Sequence, residues 1–233
     1  MRLLIVLQIV RVLAIGNSFS IDALEEQFVP VCREAGFTPV VGNLYIPSCT
    51  LEMHARNLRG DSANYSFRTW GIQGEKWDTT TTSIREALRA VDWDVISMQQ
   101  GSHESGRMAS YEPYLTILID SVRKICPKAK LAWHETWTYP RHSTYRYFEQ
   151  WGRDQKRMYD SILYCTVHAL ARHPEISLLI PTGTAIQNAR RVYYKQHPDS
   201  TGVDPYCRDG LHLSHGKGRR IAAETWLKAI QGK

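Results

Sequence analysis

Val12-Leu13-Ala14-Ile15-Gly16-Asn17-Ser18-Phe19-Ser20 is the stretch on which the fold turns. The apolar run Val10–Ile15 has the length and composition of a buried strand, and it breaks into Gly-Asn-Ser just before an amphipathic pattern begins. A strand that enters a helix through so short a turn is the repeating unit of an α/β sheet. Ligands of such sheets bind beyond the carboxyl ends of the strands. Ser18 falls there, near the first N–H groups of the next helix, where backbone dipoles favour developing negative charge. A serine at 18 or 20 would serve equally well as the N-cap of that helix. The stretch alone leaves the two readings even.

Working outward, the same alternation recurs. Asp22–Ala35 reads as a helix closed by Gly36, Thr38–Ile46 as a strand interrupted by Gly42, and Ile84–Val91 as a short helix. Asp94–Met98, Lys130–His134 and Ile176–Ile180 read as strands. Between and after them, Tyr111–Cys126, Thr144–Arg172, Ala185–Tyr194 and Gly216–Ile230 read as helices. The strands are nearly all apolar rather than alternating, as strands covered on both faces must be. The pattern predicts an α/β chain folded as a three-layer α/β/α sandwich around a mostly parallel, about five-stranded sheet. Residues 1–233 read as one domain with no linker. The irregular segment from about 47 to 82 reads as a hairpin or lid beside the site.

The 233 residues are 43% apolar and 22% charged, which excludes a disordered or fibrous chain, and a chain this long buries a core without metal or disulfide staples. No apolar run reaches the roughly 18 residues of a membrane span. The formal charge of +6 is spread in short pairs such as Arg190-Arg191, the pattern of a solvated surface rather than of a nucleic-acid site. The five cysteines are widely spaced, with no C-x-x-C pair, which argues against a zinc site or a disulfide framework. The opening MRLLIVLQIV resembles the front of a signal peptide. Its one small-x-small site, Ala14-Ile15-Gly16, would cut through the Ser18 segment, so no convincing cleavable signal is expected and the compartment stays open.

A second chemical signal lies near the C-terminus, in Cys207-Arg208-Asp209-Gly210-Leu211-His212-Leu213-Ser214. An Asp and a His three residues apart can meet on one turn, where the carboxylate fixes the imidazole tautomer and the other ring nitrogen faces a serine. A structural ion pair is the plainer reading of the motif by itself. Metal chemistry is poorly supported: His134-Glu135 begins like a zincin helix, but Thr138 breaks H-E-x-x-H. A cysteine nucleophile at Cys49 or Cys207, working with His212, is the other alternative, although neither lies on a strand-to-helix turn.

With both signals present and in this order, the chain resembles the SGNH (GDSL-type) hydrolases, most closely their bacterial DUF4886 branch. Gly16–Ser20 looks like the nucleophile block, Leu44–Glu52 like the second block, Trp93–Ser102 like the central block and Asp209–Ser214 like the terminal block. The resemblance runs from about Arg11 to Trp226. It implies Ser18 as nucleophile, His212 as general base and then acid, and Asp209 as its orienting carboxylate. It implies an oxyanion hole from the backbone N–H of Ser18, the backbone N–H of Ser48 and the side-chain amide of Gln100. Ser48 stands where the superfamily usually has Gly, and Gln100 where it usually has Asn. Gln99 competes with Gln100, but strand alternation sends the two to opposite sides and the family pattern favours Gln100.

The implied activity is that of a metal-free serine esterase, without cofactor, cleaving short acyl esters, acetyl foremost, from a small-molecule or glycan substrate. An acyltransferase with the same triad and a catalytically silent glycan-binding module are the alternatives. Trp70, Trp77, Trp137 and Tyr139 are the candidate platforms for a sugar ring, because an aromatic face with a polar edge suits one.

Overall fold

The computed structural model describes residues 8–72, 75–198 and 204–233. The signal-like opening lies for the most part outside them. In chain order the elements are β1 (Gln8–Gly16), α1 (Ser18–Leu24), α2 (Phe28–Glu34), β2 (Phe37–Tyr45), α3 (Leu51–Arg59), β3 (Tyr65–Trp70), β4 (Lys76–Thr82), α4 (Ile84–Ala90), β5 (Val95–Met98), α5 (Tyr114–Ile125), β6 (Lys130–His134), α6 (Gln155–Arg172), β7 (Ile176–Ile180), α7 (Thr182–Gln196) and α8 (Lys217–Gln231).

They build one sheet in the order β4-β3-β2-β1-β5-β6-β7. The five strands from β2 to β7 in that order run parallel, and the whole sheet has seven strands against the about five expected. The β3–β4 hairpin adds two antiparallel strands on the β2 edge. The segment expected to be a hairpin or lid is therefore α3 followed by a sheet extension. The Thr79–Thr82 run hides that strand from a search for apolar runs.

Along β1 the side chains alternate between two cores. Val10, Val12 and Ala14 join the cluster under α1, α2 and α8, while Leu13 and Ile15 join the cluster under α3, α4 and α5. Both sets are buried, which is why the strand reads as a continuous apolar run.

Two expected helices are each broken by residues in the left-handed region. Asp22–Ala35 divides at Glu25–Gln27, where Glu26 has φ 72°. Thr144–Arg172 divides into a 3-10 segment, Arg146–Trp151, and α6, with Gly152 at φ 62° and Arg153 at φ 55° between them. Asp154 then caps α6 through Lys156 and Arg157 N–H.

The parallel strand order places a switch point at β1, whose neighbours β2 and β5 lead the chain away on opposite sides. That crevice is where open α/β sheets bind ligands. Register puts Gly16 beside Tyr45, Ile15 beside Met98 and His134 beside Ile180. Ser18, Ser48, Gln99, Gln100, Glu135 and Thr182 therefore all emerge at one end of the sheet.

Candidate active site

Asn17, not a serine, caps α1. Its extended backbone (φ −142°, ψ −156°) turns the chain, and its Oδ1 accepts Phe19 N–H at 3.0 Å. Ser18 is thereby released from the capping role. It is half-buried at the first helical position, where its N–H has no intrahelical acceptor. The turn is tight because Gly16 has no side chain: a Cβ there would lie 2.4 Å from Ser20 Oγ.

The β2 loop closes on this turn. Asn17 Nδ2 donates to the Cys49 carbonyl at 3.0 Å, which sets Ser48 beside the nucleophile turn. Ser48 has φ 54°, the left-handed conformation that glycine adopts without cost. Among the described residues neither Ser18 nor Ser48 N–H donates a backbone hydrogen bond.

Asp209 and His212 meet as the motif predicts. Asp209 Oδ2 accepts His212 Nδ1–H at 2.9 Å, and its Oδ1 accepts the backbone N–H of Leu211 (2.8 Å) and His212 (2.7 Å). Partial burial alone would raise the Asp209 pKa. The two backbone N–H bonds and the imidazole outweigh it and hold the carboxyl below its usual value. The His212 ring lies 6.4 Å, edge-on, from Phe19, the residue after Ser18. The structure brings His212 and Ser18 to the same corner without closing a Ser18 Oγ–His212 Nε2 hydrogen bond, and a bond between a nucleophile and its base is commonly loose in a free enzyme.

Two devices hold this loop on α1. Trp137 stacks on Phe19 at 3.9 Å between ring centroids and donates its Nε1–H to the Leu211 carbonyl at 2.8 Å. Asp22, one turn beyond Ser18 and fully buried, accepts Leu213 N–H at 2.7 Å, Arg208 Nη1 at 2.8 Å and Arg219 Nη2 at 2.8 Å. Neither Asp22 nor the Trp137 brace was foreseen in the sequence. The signal for Asp22 was its spacing of four from Ser18, which puts both on one helical face.

The expectation for Gln100 does not hold. Its Nε2 donates both hydrogens to Ser110, at 3.0 Å to the carbonyl and 3.0 Å to Oγ, while its Oε1 accepts Leu51 and Gly101 N–H. With its amide spent, Gln100 pins the β2 and β5 loops together and offers no donor to a substrate. Gln99 points the other way, into Asn17. The two side chains leave on opposite sides, as expected, just past the last residue of β5.

The aromatic platforms also move. Trp137 and Tyr139 are fully buried, the first as described and the second with its hydroxyl on Ser102 Oγ at 3.0 Å. Trp70 is level with Val12 and Trp77 with Leu13, well below the carboxyl ends of the strands. Only the backbone of Trp77 is described. The aromatic side chains beside Ser48 are others: Tyr145, whose hydroxyl faces the Ser48 side chain; Tyr147, with its ring 5.4 Å from that of Tyr145; and His103, stacked on Tyr147 at 4.7 Å. Arg146 lies over Tyr147 at 4.6 Å. Reading 144–172 as one helix concealed this wall.

The cysteine alternatives meet an obstacle. Burial pushes the thiol pKa of Cys49 and of Cys207 up to about 12, so neither is a thiolate near neutrality.

A parallel sheet in this order, with a serine at the end of its first strand and an Asp–His loop against the helix that follows, is the architecture of the SGNH hydrolase fold. The chain belongs to the DUF4886 family: residues 11–233 match the family model described as "Domain of unknown function (DUF4886)". It is similar to a DUF4886 family protein from Bacteroides uniformis ATCC 8492, at 35% identity over 97% of this chain and 84% of that one, with a TM-score of 0.89. More distantly, it shares its fold with a candidate SGNH hydrolase from Slackia heliotrinireducens (18% identity, 96% and 100% coverage, TM-score 0.61). It also shares the fold of a family 3 carbohydrate esterase from Clostridium thermocellum (13% identity, 97% and 96% coverage, TM-score 0.55). No curated protein sequence matches the chain. Among the described residues no helix is long and apolar enough to cross a membrane.

Proposed function

We propose that this chain is a serine esterase that removes a short acyl group, acetyl foremost, from a carbohydrate hydroxyl. The observation that carries the reading is the Asp209–His212 pair at 2.9 Å, packed against Phe19 beside a serine that a neighbouring Asn has freed from capping. In this reading Ser18 Oγ attacks the ester carbonyl as His212 Nε2 takes its proton, and Asp209 keeps the imidazole in the Nδ1–H tautomer. The carbonyl oxygen gains charge and is met by the N–H groups of Ser18 and Ser48, each worth roughly 3 kcal/mol to the transition state. His212 then returns the proton to the departing alkoxide. A water activated in the same way releases the acyl group from Ser18.

The carbohydrate part of the reading rests on the wall of His103, Tyr145 and Tyr147 against the Ser48 loop, a surface on which a sugar ring can stack. The carbohydrate esterase from C. thermocellum on the same fold supports it.

The test is direct. Wild-type protein should be labelled at Ser18 by a fluorophosphonate. Ser18→Ala should fold normally, resist labelling and lose at least about 10³-fold in p-nitrophenyl acetate turnover. Near-normal turnover by the folded variant would end the serine-esterase reading.

A further inference from the structure

We propose that Gln99, His134 and Thr182 form a positioning relay that sets the nucleophile turn, so that turnover depends on Gln99. The inference rests on Ser18 being the nucleophile, and the geometry fixes its direction. Asn17 cannot be flipped, because its Oδ1 accepts Phe19 N–H and its Nδ2 donates to the Cys49 carbonyl. Gln99 meets that Oδ1 at 2.8 Å and must therefore present its Nε2–H. Its Oε1 is left as the acceptor for His134 Nδ1 at 2.8 Å, which must carry the proton. The bare His134 Nε2 then accepts the Thr182 hydroxyl at 3.1 Å. One order of donors and acceptors satisfies every group from β7 to β1.

Every member of this chain is shielded from water: Asn17 and Gln99 are 1% exposed, and His134 and Thr182 are fully buried. A buried polar network that is completely satisfied holds one arrangement, because any other leaves a group unpaired. The relay ends on Asn17, the residue whose dihedrals place Ser18. A misplacement of a reacting group by about 1 Å costs about 10²-fold in rate. The partners of Gln99 are both uncharged, since burial drives the His134 pKa down to about 3.

Gln99→Glu separates positioning from simple support. A protonated carboxyl copies the amide, donating to Asn17 Oδ1 and accepting from His134. An ionised one sets oxygen against oxygen at Asn17, and burial raises the pH at which this happens. The variant should therefore show a bell-shaped kcat/KM profile with p-nitrophenyl acetate, falling in the neutral-to-alkaline range where the wild type stays flat. Gln99→Ala should lower kcat about 10²-fold with KM changed less than about twofold. Nitrogen-15 NMR of the wild type should find His134 neutral with its proton on Nδ1 at pH 5. Wild-type rates and profile shapes in both variants would overturn the relay, and so would an Nε2–H tautomer at His134. Failure of fluorophosphonate to label wild-type Ser18 would instead overturn the serine reading, while the tautomer still decides the relay.

Discussion

The two halves of the candidate site are held in opposite ways. The Ser18 turn is fixed by uncharged, buried groups that reach across four parallel strands, from Asn17 through Gln99 and His134 to Thr182. The Asp209–His212 loop is half-exposed and is fastened by charge, through Asp22 to Arg208 and Arg219. The Ser18 turn is part of the sheet; the Asp209–His212 loop is strapped to it. Rigid neutral networks suit a group that must stay still through the reaction. A loop that donates and accepts a proton must also admit substrate, and a latch at its foot leaves its tip accessible.

The largest expected effect lies on the strapped half. His212→Ala should lower kcat/KM by at least about 10³-fold while the Ser18 turn keeps its shape. A crystal structure of that variant with Ser18 displaced would show that the halves are not independent. Asp22→Asn should come next. The amide cannot accept both guanidinium groups and Leu213 N–H, so the partly uncompensated Arg219 should cost on the order of 3 kcal/mol in urea denaturation. Turnover should fall about 10²-fold as the loop loosens. Stability lost with turnover intact would mean that the Trp137 stack alone places His212.

The smallest effect sharpens the other half. Burial holds the pKa of both His54 and His134 down to about 3. The unfolded chain protonates them near 6.5, so between those values it binds more protons than the folded one, and stability falls as pH drops through that window. Each contributes at most about 1.4 kcal/mol per pH unit. Denaturation at pH 7 and pH 5 should show the decline, and His54→Asn should remove about half of it. Asp209, held below its usual pKa, should stay ionised throughout, leaving the strap intact.

Much of this was legible in the residues. Val10–Ile15 announced a buried strand because both faces are covered, and the five parallel strands followed from the same signature. The Ser18 turn and the Asp209–His212 pair were visible because their partners are local in sequence. What escaped depends on distance through space. The Thr-rich β4 pairs with β3 on a sheet edge and needs few apolar residues. Trp137 and Tyr139 were expected as platforms, but nothing local reveals that their rings point inward. The choice between Gln99 and Gln100 turned on the partner of each amide, Asn17 for the one and Ser110 for the other, and neither partner is visible from the strand pattern. The breaks at Glu26 and Arg153 are non-glycine residues at positive φ, for which composition gives no warning.

Ser48 joins two tasks that other arrangements keep apart. In the esterase proposed above its backbone N–H would meet the reacting oxygen, while its side chain faces the Tyr145 hydroxyl at the head of the aromatic wall. A glycine would relax the backbone and let go of the tyrosine; a larger residue would tighten neither. If that proposal holds, catalysis and recognition are not separate modules for anyone redesigning this site: a change at Tyr145 would also bear on the residue proposed to meet the oxyanion.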